Sequence, residues 1–183
     1  MDILGHFRTI GEHRRQVRRG CFAVGLYFQG LTHDLSKYSP TEFLEGCRYY
    51  QGYRSPNNAE REDKGYSESW MHHKGRNRHH YEYWIDYTAE AMERDNKKGG
   101  MVPVKMPKKY LVEMFMDRLA ASRVYNKDSF TDDLPLKYFE RSMDRVMMHP
   151  DTKRDLHLLL KMYARFGEKV TFRYIRDRYL KEP

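Results

Sequence analysis

Gly30-Leu31-Thr32-His33-Asp34-Leu35-Ser36-Lys37-Tyr38-Ser39-Pro40-Thr41-Glu42-Phe43 joins a His-Asp doublet to the clearest helix start in the chain. Lys37 lies four residues after His33 and three after Asp34, a spacing that on a helix sets all three groups on neighbouring surface. A neutral imidazole beside an ionised carboxylate suits a divalent metal. A solvated polar helix end is the competing reading of an isolated doublet. Ser39, Pro40 and Glu42 then supply an N-cap serine, a proline at the first helical position and a glutamate three residues after the cap. A helix running from there to about Tyr50 follows.

Outward from this segment, apolar residues recur at helical rather than alternating spacing, as in Val17, Cys21, Val24 and Phe28, or Leu156, Leu159, Leu160 and Tyr163. The pattern predicts a long first helix over about 6–29, weakened at Gly20 and Gly25, and a short helix over 31–37 bearing the doublet. Residues 51–64, with Gly52, Pro56, Asn57 and Asn58, read as a surface loop. Residues 66–97 read as helical with an interruption at 75–77. A break at Lys97-Lys98-Gly99-Gly100 and the prolines 103 and 107 follows. Helices are then expected over 108–127, 135–148, 151–166 and 170–181. No strand is expected, so the fold class is all-α.

At 183 residues the chain suits one well-buried core, and a single domain over 1–183 is expected. Lys and Arg number 34 against 26 Asp and Glu, a net charge of +8 that favours anionic partners. Phosphate is the simplest such partner, and nucleic acid is another, although the basic residues are scattered rather than gathered in a tail. Cys21 and Cys47 make neither a metal pair nor a disulfide framework, which points to a reducing compartment. No stretch approaches the ~20 apolar residues of a membrane span, and the N-terminus has no apolar run of signal length. The expectation is a cytoplasmic protein with no membrane partner.

Four of the nine histidines fall between residues 72 and 80, in Trp70-Met71-His72-His73-Lys74-Gly75-Arg76-Asn77-Arg78-His79-His80-Tyr81-Glu82-Tyr83-Trp84. In a continuous helix His73 and His80, or His72 and His79, would share a face, and Gly75 and Asn77 put that continuity in question. The interspersed Lys74, Arg76 and Arg78 suit a solvated basic strip; the aromatic residues that follow suit a packed segment whose histidines need partners or a metal. Asp117 shares a largely apolar helical face with Tyr110, Met114, Ala121 and Val124. An ionised carboxylate there must be paired or coordinated. His149 and His157 read as surface or packing residues. Tyr163, Phe166, Phe172, Tyr174 and Tyr179 read as core or as a self-association face.

The series His13, His33-Asp34 with Lys37, the later histidines and Asp117 resembles the HD superfamily of metal-dependent phosphohydrolases. His33-Asp34-Leu35-Ser36-Lys37 looks like its His-Asp-x-Gly/Ser-Lys form, and Met116-Asp117-Arg118-Leu119-Ala120-Ala121 is similar to the segment around its final Asp. More narrowly, residues 30–43 and Asn77 to Trp84, within a resemblance covering about 5–125, are similar to an uncharacterised bacterial and phage family of unknown function (DUF5662-like). Some of its members are labelled catalase, and no haem-ligand motif supports haem here.

The resemblance implies a single helical bundle of the HD-domain type, with a metal-site core over about 5–125 that the C-terminal helices over about 130–183 complete. It implies one or two divalent ions, of manganese, iron, cobalt, magnesium or zinc. The ligands it implies are His13, His33, Asp34, His73, His80 and Asp117. His72 and His79 are substitutes, and His6 replaces His13 if the first helix is shifted. Asp34 and Lys37 become the catalytic residues, while Lys37, Arg76, Asn77 and Arg78 are expected to hold the substrate. The reaction implied is hydrolysis of a nucleotide or small phosphoester by metal-activated water. A di-iron oxygenase or redox enzyme, and a non-catalytic module binding nucleic acid or protein, are the competing functions.

Overall fold

Asp2 opens the chain's first helix, α1 (Ile3–Ala23), by accepting a hydrogen bond from Gly5 N at 2.8 Å. His6, Ile10, His13, Val17, Gly20 and Cys21 form its buried stripe. The helix does not run to residue 29 as its periodicity predicts. Gly25 takes a left-handed conformation (φ 86°) just past its end, and α2 (Tyr27–Thr32) starts afresh. A computed structural model describes residues 1–89 and 100–182.

The doublet does not ride on one short helix over 31–37. His33 closes α2, Asp34 is left-handed (φ 54°, ψ 26°), and Leu35–Tyr38 forms a separate 3-10 turn. The expected helix start at Ser39 is found: Ser39 caps α3 (Pro40–Tyr49) by accepting from Glu42 N. The segment read as a loop over 51–64 instead contains α4 (Pro56–Lys64), with Pro56 at its first position and Gly65 (φ 80°) closing it. Glu60, on α4, is buried and accepts from Ser67 Oγ and Ser69 Oγ at 2.6 Å each and from Glu68 N at 2.9 Å. It thereby fastens α4 to α5 (Glu68–Lys74), which Ser67 caps.

Past Gly75 the expected helix over 66–97 is replaced by a 3-10 turn, Tyr81–Trp84, and by strand β1 (Ile85–Tyr87). β1 pairs antiparallel with β2 (Met101–Pro103), Ile85 opposite Pro103 and Tyr87 opposite Met101. This short pair corrects the expectation of no strand without changing the all-α class. Residues 90–97 of the expected helix, and Lys97 to Gly99 of the expected break, lie outside the described residues.

Helix α6 (Lys108–Asn126) packs against α1, α2, α7 (Leu134–Glu140) and α8 (Pro150–Tyr174). Its residues 111–116 are buried on every side, as a central helix requires. Helix α7 stops well short of residue 148. Ser142, through both its amide and its hydroxyl, takes the Phe139 carbonyl that a continuing helix would offer to residue 143. Gly167 (φ 71°) breaks α8 between the two helices expected there, and Ile175–Tyr179 continues as a π-helical turn.

One core runs from Val17 and Cys21 through Phe115 and Leu119 to Leu156, Tyr163 and Ile175, making a single all-α domain of eight α-helices among the described residues. Tyr163, Phe172 and Tyr179 belong to that core, whereas Phe166 is exposed. Among the described residues no helix is long and apolar enough to cross a membrane. Phe115 is fully buried against Tyr163, and Phe115→Ala is expected to cost about 3–5 kcal/mol of folding stability, read as a lower urea midpoint at unchanged slope.

Candidate metal centre

Four segments converge beneath the corner between α2 and the Leu35–Tyr38 turn. His13 comes from α1, His33 and Asp34 from the corner itself, His73 from α5 with His79 and His80 just beyond it, and Asp117 from α6. His13, His33, Asp34 and Asp117 can each turn one ligand atom to within 4.8 Å of the others, and so can Asp34, His73, His79 and His80. Asp34 belongs to both groups. Its Oδ2 is 3.5 Å from His13 Nε2 and 3.4 Å from His33 Nε2; its Oδ1 is 3.2 Å from His73 Nε2 and 3.4 Å from His79 Nε2. Asp117 Oδ1 closes the first group at 3.0 Å from His13 Nε2.

The outward-facing nitrogens have carboxylate partners. His33 Nδ1 and His79 Nδ1 lie 3.0 and 3.2 Å from Glu113 Oε1, and His73 Nδ1 lies 2.7 Å from Glu42 Oε2. Because an ionised carboxylate only accepts, these three rings carry their proton on Nδ1 and turn Nε2 inward. That arrangement fixes ring and tautomer in histidine metal ligands.

Burial and charge pull in opposite directions here. Burial would raise the Asp34 carboxyl, yet positive charge at His33, Lys37 and His73 holds it well below the usual carboxylate range. Asp117 is likewise held low against burial by hydrogen bonds from His13 and His33. Burial would lower His33, and Asp34, Asp117 and Glu113 together overcome it and push the imidazole up to about 9. Burial and the neighbouring histidines drive His79 and His80 below their ordinary value, leaving both neutral.

Both oxygens of Asp34, together with His79 Nε2 and His80 Nε2, are buried without a hydrogen-bond partner. Lys37 Nζ, 2.6 Å from Asp34 Oδ2, offsets part of the carboxylate charge from one side, while Asp34 Oδ1 and the two histidine nitrogens have no such ammonium against them among the described residues. Orphaned buried acceptors are costly unless something else satisfies them. A divalent ion fits these donors, and the mixed imidazole and carboxylate set suits manganese, iron, cobalt or zinc.

All six ligands expected from the sequence are thus brought together, and His79, held as a substitute, joins them. His72 does not: its Nδ1 meets Glu42 Oε1 at 2.6 Å, outside both groups. His6 is not among them either, being packed against Phe43 and Tyr50. A cavity of about 580 Å³ opens beside the centre, lined by His13, Lys37, His73, His80 and Asp117. Arg76 and Arg78, expected to hold substrate, are exposed and do not line it; Arg76 donates to the His72 carbonyl and Arg78 lies over Tyr83 and Tyr110. Asn77, also expected to hold substrate, is buried and does not line the cavity either; it donates to Ser36 Oγ and to the His73 carbonyl.

Glu42 and Glu113 escaped the sequence reading. Glu113 stands one helical turn before Asp117, a spacing that does signal a shared face, whereas Glu42 reads as a capping residue and only the folded chain turns its side chain to His72 and His73.

Fold and site together define an all-helical domain with a buried histidine and carboxylate centre. The model of a family described as "Family of unknown function (DUF5662)" matches residues 2–162, and the chain belongs to that family. Comparison with curated proteins and with solved structures gives no match.

Glu113→Gln is expected to lower manganese affinity about 10–100-fold, as measured by calorimetric titration, because two inward rings lose their outer carboxylate. pH acts through His33. With its folded value above the ordinary 6.5, protonated His33 stabilises the metal-free fold fully below pH 6.5, and that contribution disappears as pH rises through about 9. A metal competes for the same Nε2. Manganese affinity is therefore expected to rise between pH 6 and pH 8, with protons released on binding; a flat profile would contradict the assignment.

Proposed function

We propose that this protein is a metal-dependent phosphohydrolase of the HD-superfamily type, acting on a nucleotide or small phosphoester. The observation that supports it best is Asp34, whose two oxygens face two separate histidine groups beside a cavity that Lys37 also lines. His13, His33, Asp34 and Asp117 would hold one divalent ion, and Asp34, His73, His79 and His80 a second. When bound, such an ion lowers the pKa of a water and polarises a phosphoryl oxygen.

The chain's own groups do the rest. Glu113 and Glu42 keep the rings oriented, and Lys37, a cation at the cavity wall, offsets charge developing on the phosphate. Asp34 holds Lys37 charged, since its attraction outweighs the burial that would otherwise lower the ammonium. The net charge of +8 favours approach of an anionic substrate. Cys21 and Cys47, both buried and free, accord with a reducing, cytoplasmic setting.

Five histidines against two carboxylates also suit iron, which favours an oxygen-activating centre as the second reading. Protein loaded with manganese, cobalt or magnesium is expected to release phosphate from a panel of nucleotides, phosphomonoesters and cyclic dinucleotides. Asp34→Asn should lose metal and activity together, and Lys37→Gln should lower kcat about a hundredfold. No turnover of any compound in the panel overturns the reading. Tightly held iron with an oxygen-dependent spectrum selects the redox alternative, and salt-sensitive nucleic-acid binding that survives Asp34→Asn selects a binding module.

A further inference from the structure

Four lysine and arginine side chains line the 580 Å³ cavity: Lys37, Arg54, Arg118 and Arg141. Two of them are matched. Lys37 lies against Asp34, and Arg54 donates to Glu62 through both terminal nitrogens and to Gln51 through Nε. Arg118 and Arg141 form no ion pair among the described residues, and Arg118 Nε is buried with no hydrogen-bond partner at all. A half-buried guanidinium left this way is expensive, and its planar fork matches the paired oxygens of a phosphate. Glu82 lines the same cavity with an unpartnered Oε2; burial raises its carboxyl, the Arg118 charge opposes that, and no hydrogen bond joins the two.

Arg118 follows Asp117 in sequence but serves a different wall. The Asp117 carboxylate meets His13 on α1, whereas the Arg118 guanidinium sits 5.3 Å from the Phe139 ring on α7. Arg141 stands exposed where α7 ends, beside the same opening. The exposed ring of Tyr138, and that of Tyr53 with the Arg54 guanidinium over one side of it, also line the cavity and offer surface for an organic group. One phosphate at the metal centre therefore leaves two guanidinium groups, Arg118 and Arg141, against Glu82 as the one cavity carboxylate outside that centre.

We propose that Arg118, with Arg141 nearer the rim, forms a second anion subsite, and that the substrate is an organic phosphate bearing at least two phosphate groups rather than a phosphomonoester. For turnover this rests on the phosphohydrolase reading; for binding it stands on the cavity alone.

The test uses manganese-loaded protein and methylene-linked, hydrolysis-resistant analogues of ADP and AMP, titrated calorimetrically. The diphosphate analogue is expected to bind at least about tenfold more tightly than the monophosphate analogue. Arg118→Gln should weaken the diphosphate roughly 10–100-fold and bring the two analogues within about twofold of each other. Arg118→Lys should recover part of the loss, and the surface change Arg141→Gln should give a smaller one.

Equal binding of the two analogues to the unaltered protein overturns the proposal. So does an equal loss of both in Arg118→Gln, which would place Arg118 on the scissile phosphate. If Arg118 only balances Glu82, Arg118→Gln will lower thermal stability in the unaltered background but not in Glu82→Gln, with binding preference unchanged, and the proposal fails. Preference for the diphosphate analogue with no phosphate release from any compound of the nucleotide, phosphomonoester and cyclic dinucleotide panel removes the hydrolase reading and leaves the subsite standing.

Discussion

Asp34 is fully buried, ionised and held in a left-handed backbone conformation that a non-glycine residue adopts only at a cost of about 1–2 kcal/mol. That conformation turns the chain between α2 and the following 3-10 turn, and it places the carboxylate where α1, α5 and α6 all reach it. A buried carboxylate is tolerated only with compensating charge close by. Lys37, His33 and His73 supply it, each within 3.4 Å of an Asp34 oxygen. The direction of the polar groups around it follows from this one charge: His33, His73 and His79 turn Nε2 towards it, and Glu42 and Glu113 then accept from their Nδ1–H groups.

Helix α6 ties that centre to the stability of the whole domain. Leu111, Met114 and Phe115 belong to the main core, while Glu113 and Asp117, one turn apart, reach the histidines. A site mounted on the most buried helix moves little relative to the core. The other mounting is α5, which Glu60 anchors through Ser67 and Ser69. His73 inherits its position from that anchor, and Ser36 and Asn77 pack about its ring. Polar networks outside the metal centre therefore hold the part of it that helix packing alone would leave loose.

Much of this was legible before any tertiary contact was known. Helical spacing points to the all-α class and Ser39-Pro40 to the start of α3, while only a family resemblance groups the doublet with His13, Asp117 and two of the four histidines between 72 and 80, which the fold brings near one another. The misreadings have local causes. Pro56 looked like a loop breaker but sits at the first turn of α4, where its missing N–H is harmless. Gly25 looked like a weak point within one helix and is the left-handed residue that divides two. The β1 and β2 strands are three residues each, too short for an alternating pattern to register.

By itself the sequence determined which residue types were available to bind a metal and roughly where helices begin, because capping chemistry and hydrophobic spacing act over a few residues. Tertiary structure alone decided that His79 turns inward and His72 outward, that Glu42 and Glu113 stand behind the rings, and that Arg118 rather than Arg76 or Arg78 faces the cavity. These choices depend on where a side chain points after Gly75, Asn77 and Asp34 redirect the backbone, and on charges contributed by segments 80 or more positions apart. Orientation about a turn and electrostatic balance in a buried site are properties of the packed whole, and no local pattern encodes them.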